Sequence, residues 1–371
     1  MQIYIITRHS VPNYGSKLQT YALQKTVENL GHKAVIINYI LENEENRDSI
    51  IWSFKNSKRT HNLLKAVFLA LSDFASSKKR KKIFALFENR LNLTEIYNKK
   101  MLFQNPPEAD IYMTGSDQVW NNDLSDENLG FDSAYFLEFV KNKKRIAYAA
   151  SFGRLDFNAE ELNFIGKYCD KYKAISVRES FGVKILEKAG IKNSIHVLDP
   201  TFLLTKSEWL SIAQEINIKG KYILVYSLYG GYKNVFSYAF ELSRKTNLPI
   251  IHFSTSLHNC IVKNCKFIFC PSVEEFISLF NNAEYVVTNS FHGTAFSINL
   301  NKQFFTVYPK LNTSRLSSIL ELTNLKKRNA TEFADMDAAL SNPIDYNIVN
   351  EILKIEREKS IAFLRSAVND N

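Results

Sequence analysis

The residues best suited to chemistry stand in five short stretches, each just after an apolar run rich in Val, Ile, Tyr, Phe or Ala. In Tyr285-Val286-Val287-Thr288-Asn289-Ser290-Phe291-His292-Gly293-Thr294, three polar residues, a histidine and a glycine stand between an apolar strand and an apolar helix beginning near Thr294. An imidazole titrates near neutrality, which suits proton transfer, and a helix N-terminus beside it offers N–H donors to an anion. A lone histidine can equally be a satisfied structural residue. Of the other six histidines only His9 also falls at a strand end. Thr114-Gly115-Ser116-Asp117-Gln118-Val119-Trp120-Asn121 gathers hydroxyl, carboxylate, carboxamide and indole groups, a set fit to grip a polar ring such as a sugar. A capped helix start, with Ser116 or Asp117 as N-cap, would use the same residues.

Arg178 follows Ile175-Ser176-Val177, where its planar fork can reach into a cleft and take a carboxylate or phosphate through two bonds, unless a neighbouring acid claims it in a surface ion pair. Ser151-Phe152-Gly153 follows Ala149-Ala150 in the same manner. After the first apolar run comes Arg8-His9-Ser10-Val11-Pro12-Asn13-Tyr14-Gly15-Ser16-Lys17. There Gly15 either lets the backbone approach an anion at a helix start or serves a tight strand-to-helix turn.

These junctions need a scaffold that delivers strand ends to one place. Apolar runs near 2–7, 34–39, 110–114, 145–150, 173–177 and 195–198, then 222–227, 249–253, 266–269, 284–288 and 303–308, alternate with stretches of helical period. That is the pattern of parallel sheets built from strand-helix-strand units. Leu18, Tyr21, Ala22, Leu23, Val27 and Leu30 mark one helix, which Gly31 stops. The fold class expected is α/β, with two Rossmann-like domains facing a cleft, ligands at the carboxyl ends of strands, and a hinge within 200–221. The expected division is 1–200, 201–345 and a final helix over 346–371, which carries Ile348, Val349, Ile352, Leu353, Ile361 and Leu364.

The chain has 371 residues, 45% apolar, with a formal charge of +9, so it has ample material for a core and is not collagen-like, low-complexity or wholly disordered. Residues 51–100 hold twelve Lys/Arg against three Asp/Glu, and the other 321 residues hold 35 of each sign, so the basicity belongs to one segment. Met1–Thr7 is too short for the apolar region of a signal peptide, and no run of 18 apolar residues exists, which points to the cytoplasm. Cys260, Cys265 and Cys270 match no zinc spacing and Cys169 stands apart, so no metal site is expected and all four are read as buried structural thiols.

Taken in order, Asn13-Tyr14-Gly15 with Leu18-Gln19 and Tyr21-Ala22-Leu23, Gly115-Ser116-Asp117-Gln118-Val119-Trp120-Asn121, Ser151-Phe152-Gly153, Ser176-Val177-Arg178-Glu179, Asp199-Pro200-Thr201 and Ser290-Phe291-His292-Gly293 resemble the polysaccharide pyruvyl transferase family. The resemblance runs to about residue 328. It implies a GT-B-like pair of domains, acceptor side first and donor side second. It also implies transfer of the enolpyruvyl unit of phosphoenolpyruvate onto a sugar of a capsule or exopolysaccharide precursor, giving a pyruvate ketal and phosphate without a cofactor. By the match, Arg178 is the anion clamp and His292 the acid/base or phosphate-side group. Asn13, Tyr14, Gly15, Ser116, Asp117, Gln118, Trp120, Ser151, Asn289, Ser290, Gly293 and Thr294 line the substrate site. Many members carry an arginine where this chain has Ser290, and Arg315 from the following loop is the expected replacement, with Lys310 and Arg8 as weaker ones. A nucleotide-sugar glycosyltransferase and a non-catalytic glycan-assembly subunit are the competing readings.

The basic segment bears on the acceptor. Leu63, Leu64, Val67, Phe68, Leu71 and Phe74 precede Lys78-Lys79-Arg80-Lys81-Lys82, and Ile83, Phe84, Phe87 and Leu91 follow it. Helical spacing on both sides predicts a helical insertion at about 51–100, a hairpin or bent amphipathic helix with a basic turn. The partners expected are a lipid-linked or glycan sugar acceptor and the anionic inner face of the membrane, against the plainer reading of a solvated charge run. No nucleic-acid motif accompanies the charge, and nucleic acid is not an expected partner.

Overall fold

The computed structural model describes residues 1–41, 63–125, 128–228, 232–309, 313–331 and 335–370. Two parallel sheets organise them. The first has seven strands, β1 (Gln2–Ile6), β2 (Lys33–Tyr39), β3 (Leu93–Tyr97), β4 (Ile111–Thr114), β5 (Lys144–Ala150), β6 (Ala174–Val177) and β7 (Ile195–His196), in the order β3-β2-β1-β4-β5-β6-β7. The second has five, β8 (Ile223–Tyr226), β9 (Ile250–Ser254), β10 (Lys266–Phe269), β11 (Tyr285–Thr288) and β12 (Gln303–Thr306), in the order β10-β9-β8-β11-β12. Central strands such as β4, IYMT, and β8, ILVY, are buried along their whole length, as parallel strands covered by helices on both faces must be.

The helices are α1 (Tyr14–Asn29), α2 (Leu63–Glu88), α3 (Lys99–Gln104), α4 (Ala159–Cys169), α5 (Ser180–Lys188), α6 (Lys206–Ser211), α7 (Tyr232–Thr246), α8 (Val273–Asn282), α9 (Phe291–Asn299), α10 (Ser314–Leu322), α11 (Met336–Ser341) and α12 (Tyr346–Asn369). In each sheet the strand order reverses once, between β1 and β4 and between β8 and β11. Such switch points leave a crevice beyond the carboxyl ends of the strands, where ligands of open α/β sheets bind. The stretches after β1, β4 and β11 are those that carry Gly15, Asp117 and His292.

All eleven strands expected from the sequence are present, and one more is added. β3 lies inside the stretch expected to be a helical insertion and forms the edge of the first sheet, with Glu95 and Ile96 exposed. Residues 51–62 of that stretch lie outside the described residues. Leu63–Glu88 is one continuous helix of 26 residues, so the lysine cluster sits within a helix and not in a turn between two. The cysteines also differ from expectation: Cys169 and Cys270 are buried, Cys265 is half-buried and Cys260 is exposed.

The two sheets are joined by a packed seam. One cluster of buried side chains runs from Tyr14, Leu18 and Tyr21 of α1, through Ile83, Phe84 and Phe87 of α2, to Phe253, Phe276 and Phe296 around the second sheet. Tyr14 is 2% exposed, stacks on Phe276 at 5.0 Å, meets Phe253 and Tyr226 edge-on, and donates from its hydroxyl to the Pro271 carbonyl at 2.7 Å. The 200–221 connection is held at its start: Trp209 is fully buried between Tyr21 and Phe296, and its indole donates to the Thr201 carbonyl at 2.9 Å. Helix α12 returns to the first sheet, placing Leu364, Ala367 and Val368 against Ile3, Ile5 and Val197, while the Leu198 amide donates to the Ser360 hydroxyl at 3.0 Å. Among the described residues no helix is long and apolar enough to cross a membrane.

Candidate functional site

Helices α1 and α9 start at the carboxyl ends of β1 and β11, one from each sheet, and they touch. Asn13 caps α1, its side-chain oxygen accepting from the amides of Gly15 at 2.8 Å and Ser16 at 3.3 Å. Ser290 caps α9 by accepting from the Gly293 amide at 3.3 Å, with its own amide held by the Thr288 hydroxyl at 3.0 Å. Gly15 lies flat against the His292 ring: a Cβ there would fall 2.0 Å from Nδ1. Glycine is therefore required for the approach itself, as it is at Gly293, where a Cβ would meet the Thr288 hydroxyl at 2.3 Å. Two helix N-termini, each with partial positive charge, thus meet at one imidazole. The N-terminus of α5 meets the middle of α10 nearby, where the Ser180 amide donates to the Ser318 hydroxyl at 3.4 Å.

Beneath the ring lies a buried charge network centred on Arg178. Its Nε donates to Glu179 at 2.9 Å, one terminal nitrogen donates to Asp199 Oδ2 at 3.1 Å, and Asp117 stands 3.9 Å away. The Phe291 ring covers the guanidinium, with Cζ 4.7 Å from the ring centroid. Arg178, Glu179 and Asp199 are each at most 3% exposed, so these charges stabilise one another in a dry environment and would be costly singly. Burial works against the charge of Arg178, and Glu179, Asp199 and Asp117 outweigh it, raising its pKa. Burial likewise disfavours the Asp117 carboxylate, but Arg178, His292, Arg8 and the Ser16 hydroxyl outweigh it and bring its pKa down to about 2. Ser16 donates to that carboxylate at 2.7 Å, Ser116 donates to Asp199 at 3.2 Å and Ser151 donates to Glu179 at 2.8 Å. Every acid of the network thereby has a hydroxyl partner.

Burial pushes the His292 imidazole below its ordinary pKa of 6.5; Asp199 and Asp117 pull it upward, while Arg178 and Arg315 press it further down. Burial thus favours the neutral form of the ring. Its Nε2 is buried 3.9 Å from Asp199 Oδ2, too far for a hydrogen bond, and has no other hydrogen-bond partner among the described residues. A neutral imidazole with an open nitrogen can accept a proton. Arg315, on the first turn of α10, reaches across to the first sheet: with the Gln118 amide turned so that its oxygen faces the guanidinium, Gln118 accepts from both terminal nitrogens at 3.2 Å. The bond network decides that orientation of the amide.

Asn13, Gly15, Ser116, Asp117, Gln118, Ser151, Arg178, Ser290, His292 and Arg315 therefore belong to one connected region, whereas the Tyr14 side chain lies in the aromatic seam between the sheets. Three other residues singled out from the sequence do not face it. Trp120 is fully buried, stacked on Phe136 at 5.4 Å with its indole donating to the Tyr135 carbonyl at 3.2 Å, and belongs to the core. Asn289 fastens the end of β8, its amide exchanging bonds with Leu228 N and O at 2.7 and 2.6 Å. Thr294 turns toward β12, with its hydroxyl 2.9 Å from that of Thr306. Lys310 lies outside the described residues. Arg178, expected to clamp an anion, is engaged by carboxylates, and its side chain is not exposed at all.

Sequence reasoning assigned no role to Glu179, Asp199 or Ser16. Asp199-Pro200-Thr201 follows a strand directly, as the other junctions do, and that was the available signal. The local bend was invisible: Ala149 has φ 53° at a bulge between β5 and β6, and Ala150 pairs with Asp117, itself at φ 78°. Bulges of this kind re-aim side chains next to functional sites. Among the described residues no group of three or more His, Cys, Asp or Glu side chains is arranged to hold a metal.

The architecture is that of GT-B-type two-domain enzymes. UDP-N-acetylglucosamine 2-epimerase from Neisseria meningitidis, solved with UDP-GlcNAc, aligns over 100% of both chains with a TM-score of 0.54 and 12% identity. MnaA of S. aureus, solved with UDP, aligns over 99% of this chain and 97% of its own, with a TM-score of 0.53 and 12% identity. Identities this low establish a shared fold and nothing about substrate. The family model for polysaccharide pyruvyl transferase matches residues 13–310, and the chain belongs to that family. No curated protein matches the sequence.

Proposed function

We propose that the protein transfers the enolpyruvyl unit of phosphoenolpyruvate to a sugar of a lipid-linked or glycan precursor of a surface polysaccharide. The product is a pyruvate ketal, and inorganic phosphate is released. The observation that carries this reading is the meeting of the α1 and α9 N-termini at His292, with Gly15 against the ring. Phosphoenolpyruvate bears a carboxylate and a phosphate, and both suit helix N-termini. Arg315, which reaches Gln118, and Arg8, whose charge acts on Asp117, are the cations we assign to such a donor. Arg178 instead holds Asp117, Asp199 and Glu179 in place and fixes the electrostatic floor of the site, so its contribution is preorganisation.

In the reaction the methylene carbon gains a proton, C2 becomes oxocarbenium-like, one sugar hydroxyl adds, phosphate leaves with the C2–O bond electrons, and a second hydroxyl closes the ketal. Two hydroxyl protons are released; one ends in the new methyl group and the other on phosphate. Neutral His292 accepts a proton from an attacking hydroxyl, and the imidazolium so formed, stabilised by Asp199 and Asp117, returns it. Phosphoenolpyruvate is a substrate in this scheme, which uses no cofactor.

Incubation with phosphoenolpyruvate and a panel of lipid-linked or nitrophenyl hexosides, with phosphate release as readout, tests the proposal. Acceptor-dependent phosphate supports it. Nucleotide release from a sugar nucleotide, with no phosphate from phosphoenolpyruvate, would instead establish the glycosyltransferase reading, which rests on fold alone.

A further inference from the structure

We infer that the outer face of α2 is a docking surface for an anionic phospholipid bilayer. Side chains at Leu71, Phe74, Lys78, Lys82 and Leu86 recur every three or four residues and so share one helix face, with Lys81 on its flank. Leu71 is 61% exposed, Phe74 49% and Leu86 58%, and Lys78, Lys81 and Lys82 are exposed beside them. Large apolar side chains on either side of a pair of lysines along one exposed face are what an interfacial helix presents: the apolar groups enter the headgroup boundary and the ammonium groups meet lipid phosphates. Charge complementarity favours this occupant, because Lys78 and Lys82 stand exposed on this face and Lys81 beside it.

The opposite face explains why this helix holds its lysines outward. Ile83, Phe84 and Phe87 are buried in the seam between the sheets, and Arg80 turns back to Asp73 at 3.0 Å. The second domain grips the helix as well: Lys79 donates to the Phe269 carbonyl at 2.7 Å, and Ser76 accepts from the Leu257 amide at 2.9 Å. Two of the five clustered basic residues thus make internal contacts, while Lys78 and Lys82 stand exposed on the outer face. Phe84 meets Tyr14 edge-on at 5.1 Å, and Glu88 pairs with Lys17, both on the first turn of α1. One face of α2 therefore abuts the candidate site and the other faces out, so a membrane seated on it would bring bilayer-borne acceptors beside that site. The surface is independent of which donor the site takes.

Flotation of the full chain with phosphatidylcholine vesicles, with and without phosphatidylglycerol, tests the inference. The protein is expected to float with anionic vesicles and not with neutral ones, and to be released by high salt. Lys78→Gln/Lys81→Gln/Lys82→Gln should weaken binding about a hundredfold. Leu71→Ser/Phe74→Ser should weaken it separately while leaving the melting temperature unchanged. Equal or negligible binding to both vesicles would overturn the inference, as would anionic binding unchanged in both variants. Binding to a single-stranded oligonucleotide without binding to vesicles would overturn it in favour of a general polyanion surface.

Discussion

Gly15→Ala gives the sharpest test of the site geometry, because the perturbation is one methyl group and its consequences separate. The added Cβ would stand 2.0 Å from His292 Nδ1, 2.3 Å from Cγ and 2.7 Å from Cε1, whereas ordinary contact begins at 3.4 Å. Ring and backbone must therefore part by about 1.4 Å. A misplacement of about 1 Å at reacting groups costs on the order of a hundredfold in rate. Stability responds differently: relieving the overlap costs about 1–3 kcal/mol, while alanine in a helical position returns up to about 1 kcal/mol relative to glycine. The variant should fold with a melting temperature lowered by a few degrees, and its kcat/KM for phosphate release from phosphoenolpyruvate should fall about a hundredfold. Coupled phosphate detection and differential scanning calorimetry on the same preparation measure both. A folded Gly15→Ala protein with wild-type kcat/KM would refute the claim that His292 works at the Gly15 contact.

Three further outcomes follow from the same structure. Because burial lowers the His292 pKa and the neutral ring is the working base, kcat/KM should be level above pH 6.5 and fall as pH drops through the lowered value; His292→Gln should lose about 10²–10⁴-fold and abolish that acid limb. Arg178→Met strands buried Glu179 and Asp199 and should cost about 3–5 kcal/mol in a denaturant titration, whereas Arg315→Met should leave stability much nearer wild type and raise KM for phosphoenolpyruvate. Equal destabilisation by the two would contradict the division of roles between these arginines. Trp120→Phe should lower the melting temperature with KM unchanged, and a raised KM would restore the indole to the substrate site.

The sequence made most of this scaffold readable because parallel strands buried on both faces must be apolar throughout. β3 escaped for the opposite reason: Leu93-Thr94-Glu95-Ile96-Tyr97 is an edge strand, half polar and partly exposed, next to a lysine-rich helix. The junction residues were readable as a set, but not their orientations. Trp120 and Gln118 are two residues apart, yet one enters the core and the other meets Arg315, because the backbone between β4 and α4 is bent by Asp117 at φ 78°. Arg178 looked like a free anion clamp because Asp199 and Asp117 are distant in sequence and converge only through pairing of neighbouring strands. The contact of Gly15 with His292 joins residues on opposite sheets, and no local pattern could have shown it.

The fate of phosphoenolpyruvate, followed by phosphorus and proton NMR in the presence of a hexoside acceptor, tests the proposed reaction most directly. Inorganic phosphate should form in step with a new ketal methyl signal, both dependent on acceptor and both lost in His292→Gln. Phosphoenolpyruvate left intact across the acceptor panel, with nucleotide released from a sugar nucleotide by the same protein, would contradict the proposed reaction.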